Sequence, residues 1–165
     1  MLLKIANFAH DNWLGWAANS GVPWLWPACE TLHFIGLALL MGCIGVYDLR
    51  MMGFLKGLEI GPLRKLMPWG IFGFVLNLVT GAIFFAGNPY QYIRNWVFGY
   101  KLLFIVLAGV NVIVYYASGL DKQIAGLGAG ADVPRGAKLV AAASLVLWIG
   151  VIFWGRMMPF LGNAF

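Results

Sequence analysis

Charge is what this sequence has least of. Only 10% of its 165 residues are charged, and six of them are Asp or Glu. Soluble domains carry about a quarter charged residues and 45–50% apolar ones. Here 62% are hydrophobic, and the mean hydropathy is +0.83. A soluble fold of this length cannot hide that much apolar surface, so lipid is the expected solvent. Cysteine is equally scarce. Cys29 and Cys43 lie fourteen positions apart in one apolar stretch, about 21 Å along a helix, which excludes a disulfide between them. Both read as small buried hydrophobes. The net charge of +5 does not come from basic clusters interleaved with aromatics, so nucleic acid is not an expected partner. The N-terminus lacks the unbroken apolar core of a cleavable signal, because Lys4, Asn7, His10, Asp11 and Asn12 interrupt it.

What is present is four long apolar runs, each near the roughly 20 residues that a spanning helix needs. They cover about residues 23–47, 67–86, 96–117 and 137–158. Asp48-Leu-Arg50 reads as the end of the first run, and Gly87-Asn-Pro89 as a turn after the second. Before them, Leu2, Ile5, Ala6, Ala9, Trp13, Trp16 and Ala17 recur at helical spacing, the pattern of an amphipathic helix in the interface plane over residues 1–20. The expected fold is all-α. It is a single integral membrane domain spanning 1–165, built as an antiparallel four-helix bundle with an N-terminal interfacial amphipathic helix.

Orientation follows from Lys and Arg. Arg50, Lys56, Arg64, Lys65, Lys122, Arg135 and Lys138 lie on the side of the first and third loops. Lys4, Arg94 and Arg156 lie on the other, and Lys101 is inside a run. This asymmetry places the first side in the cytoplasm and both termini on the outer, periplasmic side of a bacterial inner membrane. Trp13, Trp16, Trp24, Trp26, Trp96 and Trp154 fall on the outer side, Trp69 on the inner one and Trp148 mid-span.

Ionisable residues inside spans are costly and face the bundle interior. Trp26, Cys29, Glu30, His33, Gly36, Leu37 and Leu40 share one helical face, with Glu30 and His33 as i, i+3 neighbours. Such a histidine is a metal or haem ligand or a proton carrier, or half of a Glu–His pair that only fixes packing. In the second run Gly70, Gly73, Asn77, Thr80, Gly81 and Phe84 cluster on one side. Small residues there permit close helix approach or clear room for a flat macrocycle, and Asn77 needs an interior hydrogen-bond partner. Lys101 either snorkels to the interface or turns inward to an anion. Arg94 and Arg156 are interfacial anchors or bidentate partners for an anionic group. The polar groups thus gather in the outer half, over a cytoplasmic half that reads as apolar packing.

The motifs resemble a family of small bacterial four-helix membrane proteins. The shared stretches are LH-x-x-G-x-A-x-x-x-G through DLR (Leu32 to Arg50), PW-x-x-x-GF and a TG pair (Pro68 to Gly81), and N-x-x-F-x-x-K (Asn95 to Lys101). More distantly, Leu32-His33 and Lys101-Leu-Leu103 are similar to motifs of the HemJ-type protoporphyrinogen oxidases. The helix plan is similar to the copper-resistance D membrane domain. The first resemblance implies haem b, with His33 as axial ligand and Lys101 as a pocket residue. On that reading Glu30 holds the other ring nitrogen of His33 or tunes the site from behind it, Asn77 and the glycines line the macrocycle, and Arg94, Arg156 and Lys101 meet its propionates. His10, Lys101 or a methionine is a candidate sixth ligand. The expected task is one-electron transfer between a membrane quinol and an outer-side redox partner, or a small redox reaction. The alternatives are an accessory subunit of a membrane complex, a homo-oligomer, or copper handling.

Overall fold

The computed structural model describes residues 2–12, 15 and 21–161, and its regular elements there are all helical. In chain order these are α1 (Leu2–Asp11), α2 (Leu25–Met52), α3 (Ile60–Arg64), α4 (Met67–Gly87), α5 (Pro89–Arg94), α6 (Trp96–Ala117), α7 (Leu120–Ile124) and α8 (Arg135–Met157). Four of them, α2, α4, α6 and α8, are long and apolar enough to cross a membrane. Of the residues read as an amphipathic face, Ala6 is fully buried. The side chains of Leu2, Ile5, Ala9, Trp13, Trp16 and Ala17 lie outside the described residues.

Local chemistry sets the helix ends. Pro68 stands in the first turn of α4, where a missing N–H leaves no bond unmade. The Asn95 side chain caps α6 by accepting from the Val97 N–H, and its amide donates to the Met158 carbonyl at 3.0 Å. That bond ties the start of α6 to the end of α8. Gly53 ends α2 in the left-handed conformation, φ +98°, which a Cβ would resist.

One expectation needs correction here. Asp48-Leu-Arg50 does not end the first span, because α2 continues to Met52. Both charged side chains stay within the fold, Asp48 3% exposed and Arg50 0%. A charge signals a helix end only where it must reach water. Here Arg50 donates from Nε to the Leu58 carbonyl at 2.6 Å and from Nη2 to those of Gly128 and Ala131 at 3.1 and 3.2 Å. The half beneath the basic loops is therefore not simply apolar.

The helices are tightest where glycines meet. Along α2 and α4, His33 faces Thr80, Gly36 faces Gly73 and Asn77, and Ile44 faces Gly70. α6 lies on α8, with Gly150 against the Phe104 ring and the Asn111 amide donating to the Val140 carbonyl at 3.1 Å. α2 and α8 join the two pairs. Mid-bundle, Leu40, Ala108, Trp148 and Val151 form one buried cluster. At the Arg50 end, Tyr47, Met51, Ile60, Leu63, Leu120, Ile124, Val133, Ala137 and Ala141 form another.

Exposed Asp132 bridges the loops of that end, 2.8 Å from Lys138 and 3.4 Å from Lys56. Its hydrogen bond with Lys138, then the one with Lys56, lowers its carboxyl from 3.8 to about 2. A lowered folded value means the contribution is complete above the unfolded value and lost as pH falls from 3.8 through 2. An NMR titration is expected to find the Asp132 midpoint near 2 in the native protein and raised toward 3.8 in Lys138→Met. An unmoved midpoint would place the cause elsewhere.

Candidate functional site: an oriented histidine between two helices

His33 stands in the third turn of α2 and is half-buried. Its Nδ1 lies 2.7 Å from Thr80 Oγ1 on α4. Thr80 is itself 2% exposed, and its hydroxyl donates back to the Leu76 carbonyl at 2.7 Å. The Thr80 hydroxyl can donate to Leu76 while accepting from Nδ1, and in that tautomer the Nε2 lone pair is free. The ring lies 5.5 Å from Phe84, whose own ring is 5.0 Å from Trp26, and its Cε1 edge faces Gly81.

Lys101, in the second turn of α6, reaches toward the same interior. It is close enough to act electrostatically on His33. Its Nζ lies beside Gly155 of α8, where a Cβ would come within 3.5 Å. Among the described residues no carboxylate is within ion-pair distance of that ammonium.

Other sequence candidates separate from this pair. Glu30, one turn before His33, is exposed, and no hydrogen bond joins the two. Thr80, which the sequence offers only as one small residue among several, takes the ring nitrogen instead. Asn77 is built into the helix crossing. Its amide donates to the Gly73 carbonyl at 2.9 Å and abuts Gly36, while its Oδ1 is buried without a partner. Arg94 and Arg156 are exposed at the Lys101 end, with the Arg156 guanidinium 5.5 Å from the Phe160 ring.

His10 is exposed on α1. It is 3.1 Å from Asp11, and its ring is 6.5 Å from that of Tyr90. With Gly87, Asn88, Pro89, Tyr90 and Gln91 it lines a cavity of about 300 Å³. The Tyr90 hydroxyl donates to Asn7 Oδ1 at 2.6 Å and holds α1 on α5. No contact joins His10 to His33 among the described residues. Nor do three His, Cys, Asp or Glu side chains gather there around a common point.

The arrangement offers an imidazole held by the Thr80 hydroxyl, the Lys101 side chain across the interior, and the Arg94 and Arg156 guanidiniums exposed at that end. Compared with known proteins, the chain matches no family model, no curated protein and no solved structure.

Proposed function

We propose that this chain is a haem b-binding protein of a bacterial inner membrane that carries single electrons. It is built as an antiparallel four-helix bundle with both termini outside and α1 lying in the outer interface. The observation that carries the reading is the relay from His33 Nδ1–H to Thr80 Oγ1 to the Leu76 carbonyl. A metal-bound histidine characteristically donates its second ring hydrogen in this way, fixing ring and tautomer. Nε2 would then be the atom left to hold the iron of a haem. The charge balance also fits, since Lys101, Arg94 and Arg156 stand at one end and, among the described residues, no carboxylate is within ion-pair distance of Lys101.

His33 would hold the iron, and Lys101 and the arginines would hold the propionates. Haem would supply a one-electron couple between a membrane quinol and an outer-side acceptor. Thr80 holds the imidazole ring in place, and Trp26 and Phe84 shield it from water.

Purified from cells supplied with haem, the protein is expected to show a Soret band, and His33→Ala to lose it while still inserting. A colourless native protein overturns the proposal. Thr80→Val keeps the shape but removes the acceptor, and it is expected to weaken haem retention by about 10–100-fold. Retention equal to the native protein's would show that the relay does not serve a ligand.

A further inference from the structure

A second buried polar site lies at the opposite end of α2 and takes no part in the histidine chemistry. Asp48 is 3% exposed within a membrane-spanning helix. The Ser144 hydroxyl of α8 donates to its carboxyl group, while Oδ2 is buried without any partner. Among the described residues no cation lies within ion-pair distance.

The helices packed around it bring no neutralising charge. α4 contains no ionisable side chain between Met67 and Gly87. On α8, Lys138 is engaged with Asp132, while Arg135 and Arg156 stand at the two helix ends. On α2 itself Arg50 turns its Nε and Nη2 to the loop carbonyls, its Nη1 is buried without a partner, and it makes no ion pair with Asp48. The nearest ionisable neighbours are tyrosines. Tyr47 shares a hydroxyl–hydroxyl hydrogen bond of 2.8 Å with Tyr115 of α6. Tyr116 and Arg64 of α3 stand within electrostatic reach of that pair. Arg64 in turn meets Asp121 of α7 at the loop surface, at 4.0 Å.

An ionised carboxylate this deep, with no counter-ion, is strongly disfavoured, and such a group neutralises itself instead. The smallest neutralising ligand is a proton, and Oδ2 is the atom free to take it. We propose that Asp48, with Ser144, is a proton-binding site of the inner half of the bundle, loaded from the loop face past Tyr115 and Tyr47. The step is a proton transfer alone. An O–H bond forms at Oδ2, one breaks on a hydronium at the loop face and leaves water there, and no electron moves. Tyr47, next to Asp48 in the chain, is within its electrostatic reach, and the buried apolar cluster of Leu40, Ala108, Trp148 and Val151 lies mid-bundle.

Infrared titration of the full chain in lipid bilayers tests this. The native protein is expected to show a protonated-carboxyl band that grows as pH falls and is missing in Asp48→Asn. Only six side-chain carboxyls are present, so the assignment is direct. Ser144→Ala is expected to move the band to higher frequency, because the carbonyl oxygen loses its donor. Tyr115→Phe is expected to slow its response to a pH jump by at least tenfold. A band that survives in Asp48→Asn, or one that never titrates, overturns the proposal. So does a response that follows sodium instead of pH. Removing haem or His33 leaves the outcome unchanged, so this site and the histidine site fail independently.

Discussion

Replacing Arg50 by alanine is expected to open the loop end of the bundle. Its guanidinium reaches three carbonyls in two loops far apart in sequence: Leu58 in one, Gly128 and Ala131 in the other. Hydrogen bonds from a charged donor contribute about 1.5–3 kcal/mol each. Two of these carbonyl-bearing residues are exposed, so water takes over part of what the arginine leaves. A net loss of about 3 kcal/mol remains, which raises the open population by on the order of a hundredfold. Proteolysis reads that population directly when closing is fast. Tryptic cleavage after Lys56, Lys65 and Lys122 is expected to accelerate by about that factor, and cleavage after Arg94 to stay unchanged. Arg50→Lys recovers only part, since an ammonium is a single point and cannot span the fork. Equal cleavage in Arg50→Ala and the native chain would remove the clasp from the account.

Gly73→Ala is the second large effect. A Cβ there would stand 2.5 Å from the Gly36 carbonyl oxygen and 2.8 Å from the Leu40 nitrogen. Both are backbone atoms of α2, so no side chain can turn aside and the helices must separate. Overpacking costs typically 1–3 kcal/mol, and more where backbone must move. About 3 kcal/mol is expected, seen as a lowered midpoint of thermal unfolding in detergent. Separation also pulls Thr80, two turns along α4, from His33 Nδ1. Gly109→Ala is the matched control. No atom lies within 4 Å of its Cβ position, and helix propensity favours alanine by about 1 kcal/mol, so the midpoint is expected to stay or rise. Equal effects at the two positions would mean that helix contact at Gly73 is not limiting.

The four long apolar helices were legible because lipid as solvent demands long unbroken runs, and few other patterns resemble them. The span predicted over 96–117 coincides with α6 (Trp96–Ala117), where Asn95 caps the start and Ser118-Gly119 follow the end. α2 continues past Tyr47 to Met52. Asp48 and Arg50 read as interfacial charges until their partners are seen, and those partners lie far away in the sequence, Ser144 for one and Gly128 and Ala131 for the other. The same reason hid the role of Thr80. It sits 47 positions from His33, whereas Glu30, three positions away, is the neighbour that helical spacing alone proposes.

Composition and periodicity by themselves determined that this chain builds apolar helices and that four of them are long enough to cross a membrane. They act through local energies, helix propensity and the cost of exposed peptide groups, which need no knowledge of neighbours. Only the tertiary structure decided which polar groups meet: His33 with Thr80 and not Glu30, Asp48 with Ser144, Arg50 with two loops. Partner choice depends on which helix faces touch. Gly36 and Gly73 set those faces, because there two backbones approach more closely than a Cβ would allow, and Gly70 leaves room for the Ile44 side chain.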